Sequence, residues 1–403
     1  MNNIFTVNVI SQLALGVYFF SLGMPFASNF PLVLLGLAGF ACSLYSSNSV
    51  ILNKNLLIPL VAFVVATSLS IIFAIDVNRA VLTSLSWIPG FIIIYLTAMT
   101  FNRHALKRYL LCSAILMIFI SSFVCIEVLK QPIASPAVWM EQAGLPHLSV
   151  PNDCLLLAIT APCSCALFSI STSNIEKVLS VLALFSIAIT ILLVRSNSAL
   201  LVYMFSISMF LSDKYSKQVF IVFIGVLVLS IFAALNSYGG VFREFLHYST
   251  WTSRIPLWVA AWSMFLDAPF LGHGPGSFSV FYESYLEGVD FLDWVVIERR
   301  HAPWAHNLYL ELLAERGVLG AGALIIFVLS PIDLWQCSRN KYHDREYLIF
   351  RKSIYTCIFS MFFAGLFEIS ILRHWVVISF CYFIGLLQVD NNPSRIMYSK
   401  IST

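Results

Sequence analysis

Twelve apolar windows recur along the chain, near residues 8–24, 30–47, 56–75, 84–101, 106–128, 154–172, 176–194, 197–212, 218–235, 308–335, 350–368 and 373–388. A hydrocarbon core of about 30 Å takes roughly 20 helical residues to cross. The spacing therefore predicts an all-α, polytopic membrane protein with about 12 transmembrane helices. Composition agrees: 59% of the 403 residues are hydrophobic and 11% are charged, against roughly a quarter charged in a soluble domain. A single integral membrane domain over residues 1–403 is expected. Met1 to Phe5 carries no side-chain charge, so the first window reads as a retained span rather than a signal peptide, which starts basic.

Eight of the nine cysteines fall in or at the edge of an apolar window, and Cys337 sits just past one. There a thiol behaves as a small hydrophobe, so neither a metal nor a disulfide framework is expected. A formal net charge of +3 is too small to suggest a nucleic-acid partner.

Basic residues mark the cytoplasmic side of a membrane protein. With an even number of spans both termini share one side, and fourteen of the 23 Lys and Arg residues then lie there, from Lys54, Arg103 and Lys107 to Arg395 and Lys400. The other nine, Arg79, Arg195, Arg254 and Arg316 among them, face outward. The long connection 236–307, between the ninth and tenth spans, lands on that outer side, and its length demands helices of its own. One is readable: Ser253 can cap a helix with Arg254 and Pro256 in its first turn, running through Trp258, Trp262 and Phe265 to a stop at Pro269 and Gly272. Its tryptophans suit the membrane interface. A second outer loop, Lys130 to Asp153, is rich in Pro and Gly and reads as a lid.

Arg195 interrupts an otherwise uncharged stretch from Val178 to Ser212. Two helices meeting at Arg195-Ser196-Asn197-Ser198 would put its guanidinium near the outer boundary, where a costly charge is kept for function or simply snorkels from a loop tip. His306 opens a predicted helix in which Leu310, Leu313 and Gly317 share its face, with Glu311 and Glu315 on another. Its imidazole, with an ordinary pKa of about 6.5, suits a general base or a structural interface residue. Gly272-His273-Gly274-Pro275-Gly276 reads as a turn, and Asp290 with Asp293 as a solvated loop. There is no Gly-rich phosphate loop ending in Lys, so ATP-driven work is not expected.

The run from His301-Ala302-Pro303-Trp304-Ala305-His306 through Tyr309-Leu310 to Glu315-Arg316-Gly317 resembles the signature of the O-antigen ligase and polymerase superfamily. Ser253-Arg254 through Trp258 and the run from Phe265 to Phe278 resemble that family's loop, and Arg195 its membrane-edge arginine; the likeness covers roughly residues 190–320. The resemblance implies a glycosyltransferase of the bacterial inner membrane, multi-pass, with its active site facing the periplasm. Its donor would be an undecaprenyl diphosphate-linked polysaccharide, its acceptor lipid A-core, and its surroundings membrane lipid, with no metal or cofactor. On that reading His306 is the catalytic base and Arg195 and Arg254 bind the diphosphate. His301 is a rival base, and Tyr309 and Glu315 are acceptor or secondary residues. This chain has Arg195-Ser196-Asn197 where many members have Arg-Gly-Ala. An O-antigen ligase leads, with an O-antigen or exopolysaccharide polymerase as first alternative. A lipid-linked glycan transporter would instead show repeats and broken helices around polar groups at mid-bilayer.

Overall fold

The computed structural model describes residues 54–100, 106–130, 144–145, 148–194, 196–212, 253–291, 295, 301–302, 304–341, 344–370 and 374–388. The windows near 8–24, 30–47 and 218–235 lie outside these residues. In chain order the helices are α1 (Lys54–Ile72), α2 (Val77–Leu85), α3 (Trp87–Thr100), α4 (Leu106–Lys130), α5 (Val150–Ile170), α6 (Asn174–Val194), α7 (Asn197–Ser212), α8 (Arg254–Asp267), the one-turn α9 (Phe278–Phe281), α10 (Leu308–Lys341), α11 (Arg345–Ala364) and α12 (His374–Leu387). The described residues are thus all-helical apart from a two-residue antiparallel ladder, Gly144–Leu145 with Leu148–Ser149.

Four of these helical stretches are long and apolar enough to cross a membrane: Val77–Ala98, Leu106–Ile126, Asp153–Ile170 and Asn174–Val194. Ile58–Ile72, Asn197–Ser212 and Trp375–Leu387 are shorter apolar helices. On α4, Ile115, Leu116, Phe119 and Ile126 are exposed, as are Val178, Val181, Leu182 and Phe185 on α6. Such faces are stable against lipid, which removes the penalty for leaving them uncovered. The first of the four begins earlier than its apolar window, because Asp76 caps α2 by accepting the Arg79 N–H at 3.0 Å. That bond satisfies one of the amides a helix start leaves unpaired.

The chain divides into two compact units. One comprises His104–Trp251 and Asp344–Ala364. In it α5 packs against α4, α6 and α11. Pro162 lies inside α5 and cannot donate to the carbonyl of Ala158 four residues back. The Ser206 hydroxyl of α7 reaches that carbonyl at 3.0 Å, sharing its proton between it and the Tyr203 carbonyl at 2.8 Å, which helps a proline survive in a helix that water cannot reach.

The other unit comprises Met1–Arg103, Thr252–His343 and Gly365–Thr403. Here α10 lies along α1, α8 packs on α10, and α12 packs on α3. The core beneath α8 is formed by Leu257, Ala260, Ala261 and Met264 with Phe278, Tyr282, Ala302, Ala305 and Ala314. The window 308–335 is one helix broken at Gly317, whose φ of 59° and ψ of −168° are not helical. The break frees backbone groups that the turn after α8 takes up. His273 and Gly274 donate to the carbonyls of Ala314 and Glu315 at 3.0 and 2.9 Å, while Val318 donates to Pro269 at 2.8 Å and Leu319 to Phe270 at 3.3 Å. The Gly272–Gly276 segment is therefore a turn, as the sequence indicates, and its task is to splint the kink in α10.

A candidate active site beside the starts of α8 and α10

The segment Gly365–Ser370, which follows the end of α11, organises the site. The apolar window 350–368 reads as one span, but the helix stops at Ala364 and the chain continues through turns to Ser370. Arg254, in the first turn of α8, donates from Nη1 to the Phe367 carbonyl and pairs through Nη2 with Glu368. Both side chains are at least nine-tenths buried. The other oxygen of Glu368 lies 3.4 Å from His306 Nδ1, an ion-pair separation longer than a good hydrogen bond. Trp304 stands edge-on to the His306 ring, with centroids 5.9 Å apart.

His306 differs from its expected place. The helix starts at Leu308, and Asn307 is the residue that caps it, its side-chain oxygen accepting the N–H groups of Tyr309 and Leu310 at 3.1 Å. His306 precedes that cap with φ 51°, the one positive φ at a non-glycine among the described residues. A side chain held there carries backbone strain, which persists where surrounding contacts enforce it. Those contacts are present. Leu308 N donates to the Gly365 carbonyl at 2.7 Å, and Asn307 Nδ2 to the Leu366 carbonyl at 2.9 Å.

The rival imidazole is held elsewhere. The His301 side chain is 60% exposed, with Nδ1 3.4 Å from Glu283, and its ring lies 5.7 Å from that of Tyr282. A hydrogen bond from Tyr282, with a further contribution from His301, holds the Glu283 carboxyl below its usual range. Nearby, Tyr285 donates to Asp267 at 2.7 Å, and its phenol is pushed up to about 12 by burial and by that carboxylate. Glu315 is fully buried, taken by the Phe278 N–H at 3.3 Å and by Arg316 at 3.2 Å, so it belongs to the splint around Gly317. Tyr309 is half-buried on the first turn of α10. Ser253 occupies the position before α8, but its side chain makes no capping bond. Arg195 and Asp293 lie outside the described residues.

Glu368 is the residue that sequence reasoning passed over. It is the carboxylate at the outer edge of the 350–368 window, and a carboxylate at such a place is itself a functional signal. Breaking a buried pair by removing one partner typically costs about 3–5 kcal/mol, because the other charge stays behind. Glu368→Ala and Arg254→Met should each lower the thermal midpoint strongly, whereas the double substitution Arg254→Met/Glu368→Leu should cost much less than their sum. A double-mutant cycle by thermal unfolding in detergent checks this, and additive costs would show that the two side chains are not coupled.

The fold and the site define a helical membrane protein in which an imidazole, a guanidinium and a carboxylate from three distant segments meet beside a strained backbone position. A family model described as Wzy_C, O-antigen ligase, matches residues 182–325, the stretch that contains Arg254, His301 and His306. Over those 144 of its 403 residues the chain is similar to the O-antigen ligase family. Among the curated proteins, none matches it.

Proposed function

We propose that the protein is an O-antigen ligase, which transfers a finished polysaccharide from undecaprenyl diphosphate to a hydroxyl of lipid A-core on the periplasmic face of the inner membrane. The observation that carries this reading is the meeting of His306, Glu368 and Arg254, and the match of residues 182–325 to the O-antigen ligase family supports it. Nδ1 of His306 faces a carboxylate, which favours the tautomer with its proton on Nδ1 and leaves Nε2 as the base. As the acceptor oxygen bonds to the anomeric carbon, Nε2 takes its proton. The bond from that carbon to the diphosphate oxygen breaks, and the leaving group departs with the electron pair. Glu368 steadies the imidazolium that forms, and a single displacement inverts the anomeric centre.

Negative charge grows on the diphosphate, and arginine forks match phosphate oxygens bidentately. Arg195 and Arg254 take that role here, with Glu368 and the Phe367 carbonyl as the resting partners of Arg254. Neither a metal nor a nucleotide is needed for this displacement. About twelve spans, with both termini in the cytoplasm, complete the picture.

The test is a lipopolysaccharide gel of a deletion strain with and without the wild-type gene, together with an assay of undecaprenyl-linked polymer. In the deletion strain, polymer should accumulate on its carrier while the core stays bare, and the gene should reverse both effects. A core bearing a single repeat unit would make the protein a polymerase. An unchanged ladder would remove it from this pathway.

A further inference from the structure

We infer that Glu311, a fully buried carboxylate in the first turn of α10, is a positioning residue that fixes the distance between His306 and Glu368. The inference rests on His306 being the acceptor base. One oxygen of Glu311 accepts the backbone N–H of Ala305 at 3.2 Å; the other accepts the Ser370 hydroxyl. Ala305 is one residue before His306, and Ser370 is two residues after Glu368. A single side chain thereby ties together the two segments whose side chains form the imidazole–carboxylate contact.

The need for such a tie follows from the backbone. His306 sits at φ 51°, a conformation that relaxes unless its flanks are held. On the C-terminal flank, Asn307 and Leu308 are bonded to the carbonyls of Leu366 and Gly365. On the N-terminal flank the bond is the one from Ala305 to Glu311. Burying a carboxylate carries a large desolvation cost, and the two acceptor bonds of Glu311 offset that cost only while both segments stay in place. The 3.4 Å contact between His306 and Glu368 is close to the limit at which a carboxylate can orient an imidazole. A drift of about 1 Å at such a site can cost on the order of 100-fold in rate.

Charge is not what the clamp requires. A glutamine can accept from Ala305 with its carbonyl and donate to the Ser370 oxygen with its amide. A methionine of similar length fills the space and does neither. We expect Glu311→Gln to retain transfer within about threefold of wild type. Glu311→Met should lose roughly 10- to 100-fold in kcat with the KM for the lipid-linked donor unchanged, and, because it leaves the Ala305 N–H and the Ser370 hydroxyl unpaired, it should also lower stability, which normalising for abundance takes out. Ser370→Ala should show a smaller kcat loss in the same direction, and Ser370→Thr, which keeps the hydroxyl, should restore it.

The measurements are transfer kinetics from lipid-linked polysaccharide to lipid A-core, with full-length protein in membrane vesicles normalised for abundance and with His306→Asn assayed alongside. If His306→Asn is inactive while Glu311→Met and Ser370→Ala keep wild-type kcat, the positioning role is wrong and the base assignment stands. If Glu311→Gln is as damaged as Glu311→Met, the charge rather than the clamp matters and the inference again fails. Activity in His306→Asn would instead bring down the reading beneath it. Should Glu311→Met not accumulate, the Ser370 pair decides.

Discussion

Replacing His306 by asparagine should reduce glycan transfer by about 10²- to 10⁴-fold, the usual contribution of a general base, while the protein accumulates normally. Asparagine is the informative choice because of the backbone. At φ 51° an alanine would add a conformational penalty to the loss of the imidazole, whereas asparagine enters the left-handed region several-fold more readily than most residues. Its amide cannot take a proton at neutral pH. His301→Asn is the matched control. That ring is solvent-exposed and leans on Glu283 and Tyr282, so its loss should leave transfer within about threefold of wild type. Rates are read in membrane vesicles supplied with lipid-linked polysaccharide and lipid A-core. Near-normal transfer by a stable His306→Asn protein would end its assignment as the base, and a collapse in His301→Asn alone would move the role there.

The sequence disclosed those parts of the fold that depend on neighbouring residues. Apolar windows located α4, α5 and α6 within a few residues, since a lipid-crossing helix satisfies its own backbone and must be apolar along its length. Helix α8 was legible from its proline near the start and its Pro269 and Gly272 stop. The site was legible only in part. His306 and Arg254 stood out by family resemblance, but Glu368 is 62 positions from the first and 114 from the second, so no local pattern joins them. The start of α10 was misplaced by two residues because an imidazole and an amide stand side by side ahead of the helix. It is Asn307, a strong capping residue, that ends the irregular backbone. Glu311 and Glu315 share one helical face, and by family resemblance only Glu315 reads as an acceptor or secondary residue. Tertiary bonds separate them: Glu311 is turned to the His306 and Glu368 segments, and Glu315 to Phe278 and Arg316.

That separation depends on the break at Gly317, and the substitution with the largest expected effect on folding is Gly317→Ala. A Cβ built there falls 2.3 Å from both the carbonyl carbon and the oxygen of Phe270, and backbone atoms held by four hydrogen bonds cannot give way. The φ of 59° with ψ of −168° lies in a region open essentially to glycine alone. Strain and overpacking together place the cost at roughly 2–6 kcal/mol, a large share of the 5–15 kcal/mol that holds a typical domain together. Gly272→Ala meets the same wall from the other side, with its Cβ 2.3 Å from the Glu315 carbonyl carbon. The control lies five residues along the helix from the first: at Gly322 an added Cβ meets nothing within 4 Å. There alanine should be neutral or stabilise by up to about 1 kcal/mol, as glycine is the weaker helix former. Thermal unfolding of the detergent-solubilised protein, followed by tryptophan fluorescence, distinguishes the three. A Gly317→Ala midpoint within a degree or two of wild type would mean that α10 can run straight through this position. The exchange of backbone bonds with residues 269–274 would then have no part in building the site.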